Sequence, residues 1–186
     1  MTFSETPLFY AFLFGHLAFL ITGLGAVIIT DVVAFRWIRG KSGTTAFVKA
    51  AEVTQRAVWT GWIGMVVTGA GLITIKGFVD SLTAIKIFLV LMVGLNGFAL
   101  HFLKHAVSGS SSYGELPAVH KYYVYSTGLV SLVGWWGAFA IGFMHRHIRH
   151  YWDWPATHWP AIYSIAAVWF VLVLIGALWS RQYHRR

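Results

Sequence analysis

Residues able to do chemistry lie within or at the ends of long apolar runs. His16 and Asp31 belong to the first run, Lys86, Asn96 and His101 to the third, and His120 opens the fourth. A titratable group at bilayer depth is costly, so each of these reads first as a functional residue. Neutral imidazoles held in a helical bundle can ligate a haem iron. Small residues such as Gly23 leave room for a flat macrocycle, and cations neutralise its propionates.

Spacing sorts these residues onto faces. His16, Gly23 and Thr30 recur every seven residues and share one side of a helix, with Asp31 adjacent. Lys86, Gly97, His101 and Lys104 share a side of the third run, with Asn96 at its edge. Both stripes are expected to face into a bundle, because lipid offers no hydrogen-bond partner. His16 and Lys86 fall towards one membrane surface, and Asp31, His101 and His120 towards the other.

Two haem sites are therefore open. One is built on His16 with Gly23 and Lys86, the other on His101 and His120 with Lys104, Lys121 and Arg36 nearby. Spacing does not choose between them. Each residue also has a plainer role: His16 as a buried hydrogen-bonding residue, Lys86 snorkelling to the outer surface, and Asp31 paired with Arg36. His105, four residues after His101, reads as a headgroup-level residue.

The elements that must position these residues are helices. The chain of 186 residues is 58% hydrophobic and 11% charged, outside the range of soluble domains. Apolar runs from Leu8 to Phe35, Ala57 to Ile75, Leu82 to Leu103, Tyr122 to Met144 and Ala161 to Trp179 each reach the roughly 20 residues a spanning helix needs. The fold class is all-α, a bundle of five transmembrane helices forming a single domain over residues 1–186. Apolar sequence continues to Val33 with no cleavage signal, so the first run reads as a retained helix.

The net charge of +8 is carried by basic residues at the ends of apolar runs, a topology signal and no footprint for nucleic acid. Arg36, Arg39, Lys41, Lys49, Arg56, Lys104, Lys121, Arg181, Arg185 and Arg186 fall on one side, against Lys76, Arg146 and Arg149 on the other. The positive-inside rule then places the N-terminus outside and the C-terminus in the cytoplasm. Ser108 to Pro117 reads as a flexible connection. His150 to Pro160, with Trp152, Trp154 and Trp159, reads as an interfacial segment. His145, His147 and His150 among arginines form a basic anchor more readily than a metal site. Thr60, Gly64 and Thr68, four residues apart, mark a close helix contact.

No cysteine is present, which excludes thiolate chemistry. Phosphate-binding glycine loops, HExxH and dinucleotide fingerprints are also missing.

The runs GHLAFLITGLGAVIITDVVAF, TGAGLI and LTAIKIFLVLMVGLNGFALHFLKH resemble the layout of HemJ-type protoporphyrinogen oxidases and CopD-like membrane proteins over the first three helices. The resemblance implies a haem b in the bundle, with His16 as axial ligand and Lys86 near a substrate or propionate. Where that layout suggests a further imidazole in the third helix, this chain has Asn96.

The leading expectation is a haem-b membrane redox protein, with one haem or two, that passes electrons to or from a quinone, a porphyrin-like substrate or a partner subunit. His16 and one of His101 or His120 would ligate iron, Lys86 would neutralise an anion, and Asp31 and Asn96 would complete a proton path. The bilayer, in a bacterial cytoplasmic membrane, and a second copy of the chain are further expected partners. One alternative is a cation, copper or proton transporter assisted by Met65, Met92 and Met144. Another is a structural subunit of a larger membrane assembly.

Overall fold

A computed structural model describes residues 6–147 and 157–184, and all regular structure among them is helical. Five helices, α1 (Pro7–Ile38), α2 (Thr44–Lys76), α3 (Ser81–Val107), α4 (Ala118–His147) and α5 (Trp159–His184), follow in order, with a single 3₁₀ turn at Tyr113–Glu115. Each is long and apolar enough to cross a membrane, as an integral membrane protein requires. Large apolar side chains such as Phe14, Ile21, Phe98 and Phe170 are exposed, the surface that lipid solvates.

The helices outrun the apolar stretches that announce them. α2 begins at Thr44 and not at Ala57, so Lys49 and Arg56, expected in a connection, ride on its first turns. Hydropathy reports depth in lipid, whereas a helix persists into the polar zone because its backbone hydrogen bonds are already made within the segment. At 1.5 Å per residue α2 is about 50 Å long, well beyond a hydrocarbon core of about 30 Å. α5 likewise takes in Trp159 and Pro160 from the expected interfacial segment. Residues 150–156 of that segment lie outside the described residues.

Local signals set the helix ends. Pro7 sits in the first turn of α1, where its missing N–H costs nothing, and the Thr6 hydroxyl accepts from Phe9 N–H at 3.3 Å. α2 closes on Gly77, whose left-handed φ of 77° returns its N–H to Ile73 O at 2.9 Å. Asp80 caps α3 by accepting from Thr83 N–H at 2.8 Å. In the α3–α4 connection Glu115 accepts from Ser111 N–H at 3.1 Å, which holds its carboxyl below the usual range.

The chain forms two compact units, Met1–Val79 and Asp80–Arg186. The first is the antiparallel hairpin of α1 and α2. In the second, Ile85, Leu89 and Met92 of α3 meet Val130 and Ala138 of α4, and α5 lays Ala161, Ile162, Ile165, Trp169 and Leu172 against them. Those α5 residues keep to one stripe of the helix, leaving the opposite face, with Tyr163, Phe170 and Leu174, exposed. Tyr122 pins α4 to α5 by donating its hydroxyl hydrogen to Leu172 O at 2.6 Å.

Candidate functional site

The α1–α2 hairpin carries a seam that repeats every seven residues on both helices. His16 meets Thr68, Gly23 meets Gly61, Thr30 meets Thr54, and Trp37 stacks on Phe47. A seven-residue period keeps one face turned to its partner along the whole length of two slightly supercoiled helices.

Each contact in the series has its own chemistry. A Cβ on Gly61 would stand 2.5 Å from both Gly23 Cα and Gly23 N, so here the two backbones touch. Phe19 fills the space over Gly64, and Phe12 the space over Gly71. The hydroxyls of Thr30 and Thr54 lie 2.6 Å apart, and carbonyls one turn back, Ala26 O and Ala50 O, lie 3.0 and 2.9 Å from them; with one hydrogen each, one hydroxyl donates to the other and the second donates to its own carbonyl. Trp37 is fully buried. Its Nε1–H donates to Thr44 Oγ1 at 3.0 Å, and its ring lies parallel to Phe47 with centroids 4.5 Å apart.

His16 is buried at the seam, about 10 Å from the middle of α1. Its Nδ1 lies 3.0 Å from Thr68 Oγ1, and Thr68 Oγ1 lies 2.6 Å from Gly64 O. The protonation pattern follows from these two distances. A carbonyl accepts only, so the single Thr68 hydrogen goes to Gly64. Thr68 must then accept from His16, which places the imidazole proton on Nδ1 and the lone pair on Nε2. Metal-ligating histidines are commonly oriented in this way, by a partner that holds the other ring nitrogen.

The other sequence-chosen residues have separate surroundings. Gly23, which can serve either the close approach of a neighbouring backbone or the fit of a macrocycle, is closed against Gly61 and serves the first. Asp31 is partly buried about 13 Å from the middle of α1, and among the described residues it has no hydrogen-bond or ion-pair partner, Arg36 included. Asn96, within one turn of the middle of α3, is buried and donates to Thr127 O on α4 at 2.9 Å. Lys86 reaches towards α4: its Nζ rests 3.3 Å from where a Cβ on Gly142, near the end of that helix, would stand.

His101 is exposed, and its ring neighbours are Phe102 and His105. His120, in the first turn of α4, keeps Nδ1 buried without a hydrogen-bond partner. Met65 and Met92 are buried, Met92 within the apolar α3–α4 core, where it acts as filling. Among the described residues no group of three or more His, Asp or Glu side chains stands ready to hold a metal ion.

Thr60, expected at the α2 contact, is exposed, whereas Thr54, Gly61 and Gly71 do the packing. The missed signal is the period itself, since Thr54, Gly61 and Thr68 repeat the spacing of Thr30, Gly23 and His16. Searched against known proteins, the chain matches no family model, no curated protein and no solved structure.

Proposed function

We propose that this is a membrane redox protein that binds a b-type haem through His16 and exchanges electrons with a quinone, a porphyrin-like substrate or a partner subunit. The observation that carries the reading is the His16–Thr68–Gly64 hydrogen-bond chain, which fixes a buried imidazole at membrane depth through its Nδ1. The likeness of the first three helices to HemJ-type proteins points the same way. With the N-terminus outside, as the distribution of basic residues favours, His16 lies in the outer half of a bacterial cytoplasmic membrane.

The donor chemistry of His16 suits an axial ligand. The α1–α2 seam does not suit the macrocycle, because Gly23–Gly61, Phe19 and Phe12 fill it, so a haem held by His16 would lie outside that seam. When bound, the haem supplies one-electron transfer. The chain's part is to orient the imidazole through Thr68, to keep its Nδ1 proton in place and to exclude water from it.

The reading is tested by a reduced-minus-oxidised spectrum of the detergent-purified protein. The expected result is a Soret band in the wild type that is lost in His16→Ala and kept in His105→Ala. A wild-type protein without the band refutes the proposal.

A second reading, a proton or cation carrier, is favoured by Asp31, a partly buried carboxyl without a partner among the described residues. Reconstituted vesicles should then show flux that Asp31→Asn abolishes, with no haem required.

A further inference from the structure

We propose that His101 and His105 form a surface site for a borderline-soft divalent cation such as Zn²⁺ or Cu²⁺, separate from His16 and independent of the haem reading. The two residues are four apart on α3, so their side chains stack on one face, with His105 leaning back over His101. Both are exposed, and their ring centroids are 5.1 Å apart at an interplanar angle of 77°.

That separation is what a shared ion requires. Two imidazoles bound to one tetrahedral ion, with Zn–N near 2.0–2.1 Å, carry their centroids about 5 Å apart. The 5.1 Å between the rings is compatible with that spacing, so rotation about the side-chain bonds is all that turning a nitrogen of each towards one ion requires. Neutral imidazole suits Zn²⁺, Cu²⁺ and Ni²⁺, whereas Mg²⁺ and Ca²⁺ prefer oxygen donors.

Depth makes the site accessible. His101 lies about 10 Å from the middle of α3 and His105 about 17 Å, so the pair straddles the edge of a hydrocarbon core about 30 Å thick. The ion's charge is met by interfacial water, which completes the coordination sphere. An imidazole such as His101, inside the apolar edge, gains from a partner placed one turn closer to water.

The test uses the full-length protein in detergent with His145, His147 and His150 replaced by Ala, which removes the other histidine-rich stretch. Zn²⁺ is titrated calorimetrically, and Cu²⁺ is added alone for electron paramagnetic resonance. Binding of one Zn²⁺ per chain is expected, together with a Cu²⁺ spectrum split by two equivalent nitrogens. His101→Ala and His105→Ala should each weaken binding about a hundredfold, because chelation raises the second contact by about 10²–10⁴. Haem absorption, read on the same samples, should be unchanged by His105→Ala. Zn²⁺ affinity unaltered in either variant, a Cu²⁺ spectrum without two-nitrogen splitting, or a Soret band lost with His105 overturns the proposal.

Discussion

Gly23 and Gly61 meet backbone to backbone, seven residues from His16 and Thr68 on one side and seven from Thr30 and Thr54 on the other. The close approach at the glycines sets the helix separation that lets a histidine and a threonine, both short of reach, hydrogen bond across the seam.

The sharpest consequence is an ordering of two glycine substitutions in neighbouring helices. Gly61→Ala places a Cβ against the Gly23 backbone, which cannot move aside as a side chain can, and should cost about 1–3 kcal/mol or more. Gly25→Ala meets nothing within 4 Å and should be neutral, or stabilising by up to about 1 kcal/mol through helix propensity. Denaturant titration in mixed micelles measures both, and equal effects would show that the glycine contact is not tight.

Thr68 separates orientation from ligation at His16. Thr68→Val preserves the bulk of the side chain but removes the acceptor for the Nδ1 proton, so the haem should still bind, about 10–100-fold more weakly. Thr68→Ser restores the acceptor and should restore affinity. Haem titration followed at the Soret band reads the difference, and circular dichroism confirms that the helices remain. An unaltered affinity in Thr68→Val would leave Thr68 a purely structural residue.

Asn96 acts as a clasp between α3 and α4 near the bilayer middle, since its amide donates to Thr127 O. An amide held this way fixes helix register more readily than it passes a proton. Asn96→Leu should lower stability by about 1 kcal/mol, the modest worth of a polar contact inside a membrane, and leave any electron-transfer activity intact. A stability change with activity lost outright would instead support the proton-path role.

Lys86 and Gly142 should be energetically coupled because a Cβ on Gly142 would stand 3.3 Å from the ammonium, a contact tight enough that the lysine must shift slightly to admit it. Gly142→Ala is expected to destabilise the wild type and to cost less in a Lys86→Met background, where the end of the chain carries no charge. A double-mutant cycle should give a coupling of about 0.5–3 kcal/mol. Additive costs would mean that the two side-chain positions do not meet.

Much of this is legible in the sequence, and the gaps have physical causes. The stripe of His16, Gly23 and Thr30 was legible because a seven-residue spacing returns to nearly the same side of a helix, and these residues do face α2. Trp37 extends the same series and could have been added from its spacing alone. Thr60 falls off the contact because a four-residue spacing drifts across the helix face that a seven-residue period tracks. α2 starts thirteen residues before its apolar run because charges such as Lys49 and Arg56 end an apolar run without ending a helix.

The sequence by itself determined that the chain is helical, that five of its segments can span a membrane, and which residues of α1 share a face. Apolar length and period carry that information directly. Only the tertiary structure decided which residue of α2 each of them meets. Lipid tails are as apolar as the side chains, so hydrophobicity does not set the register of two membrane helices. It is set by where small residues let the backbones touch, at Gly23 and Gly61, and by which polar groups then come within reach, at His16 and Thr68.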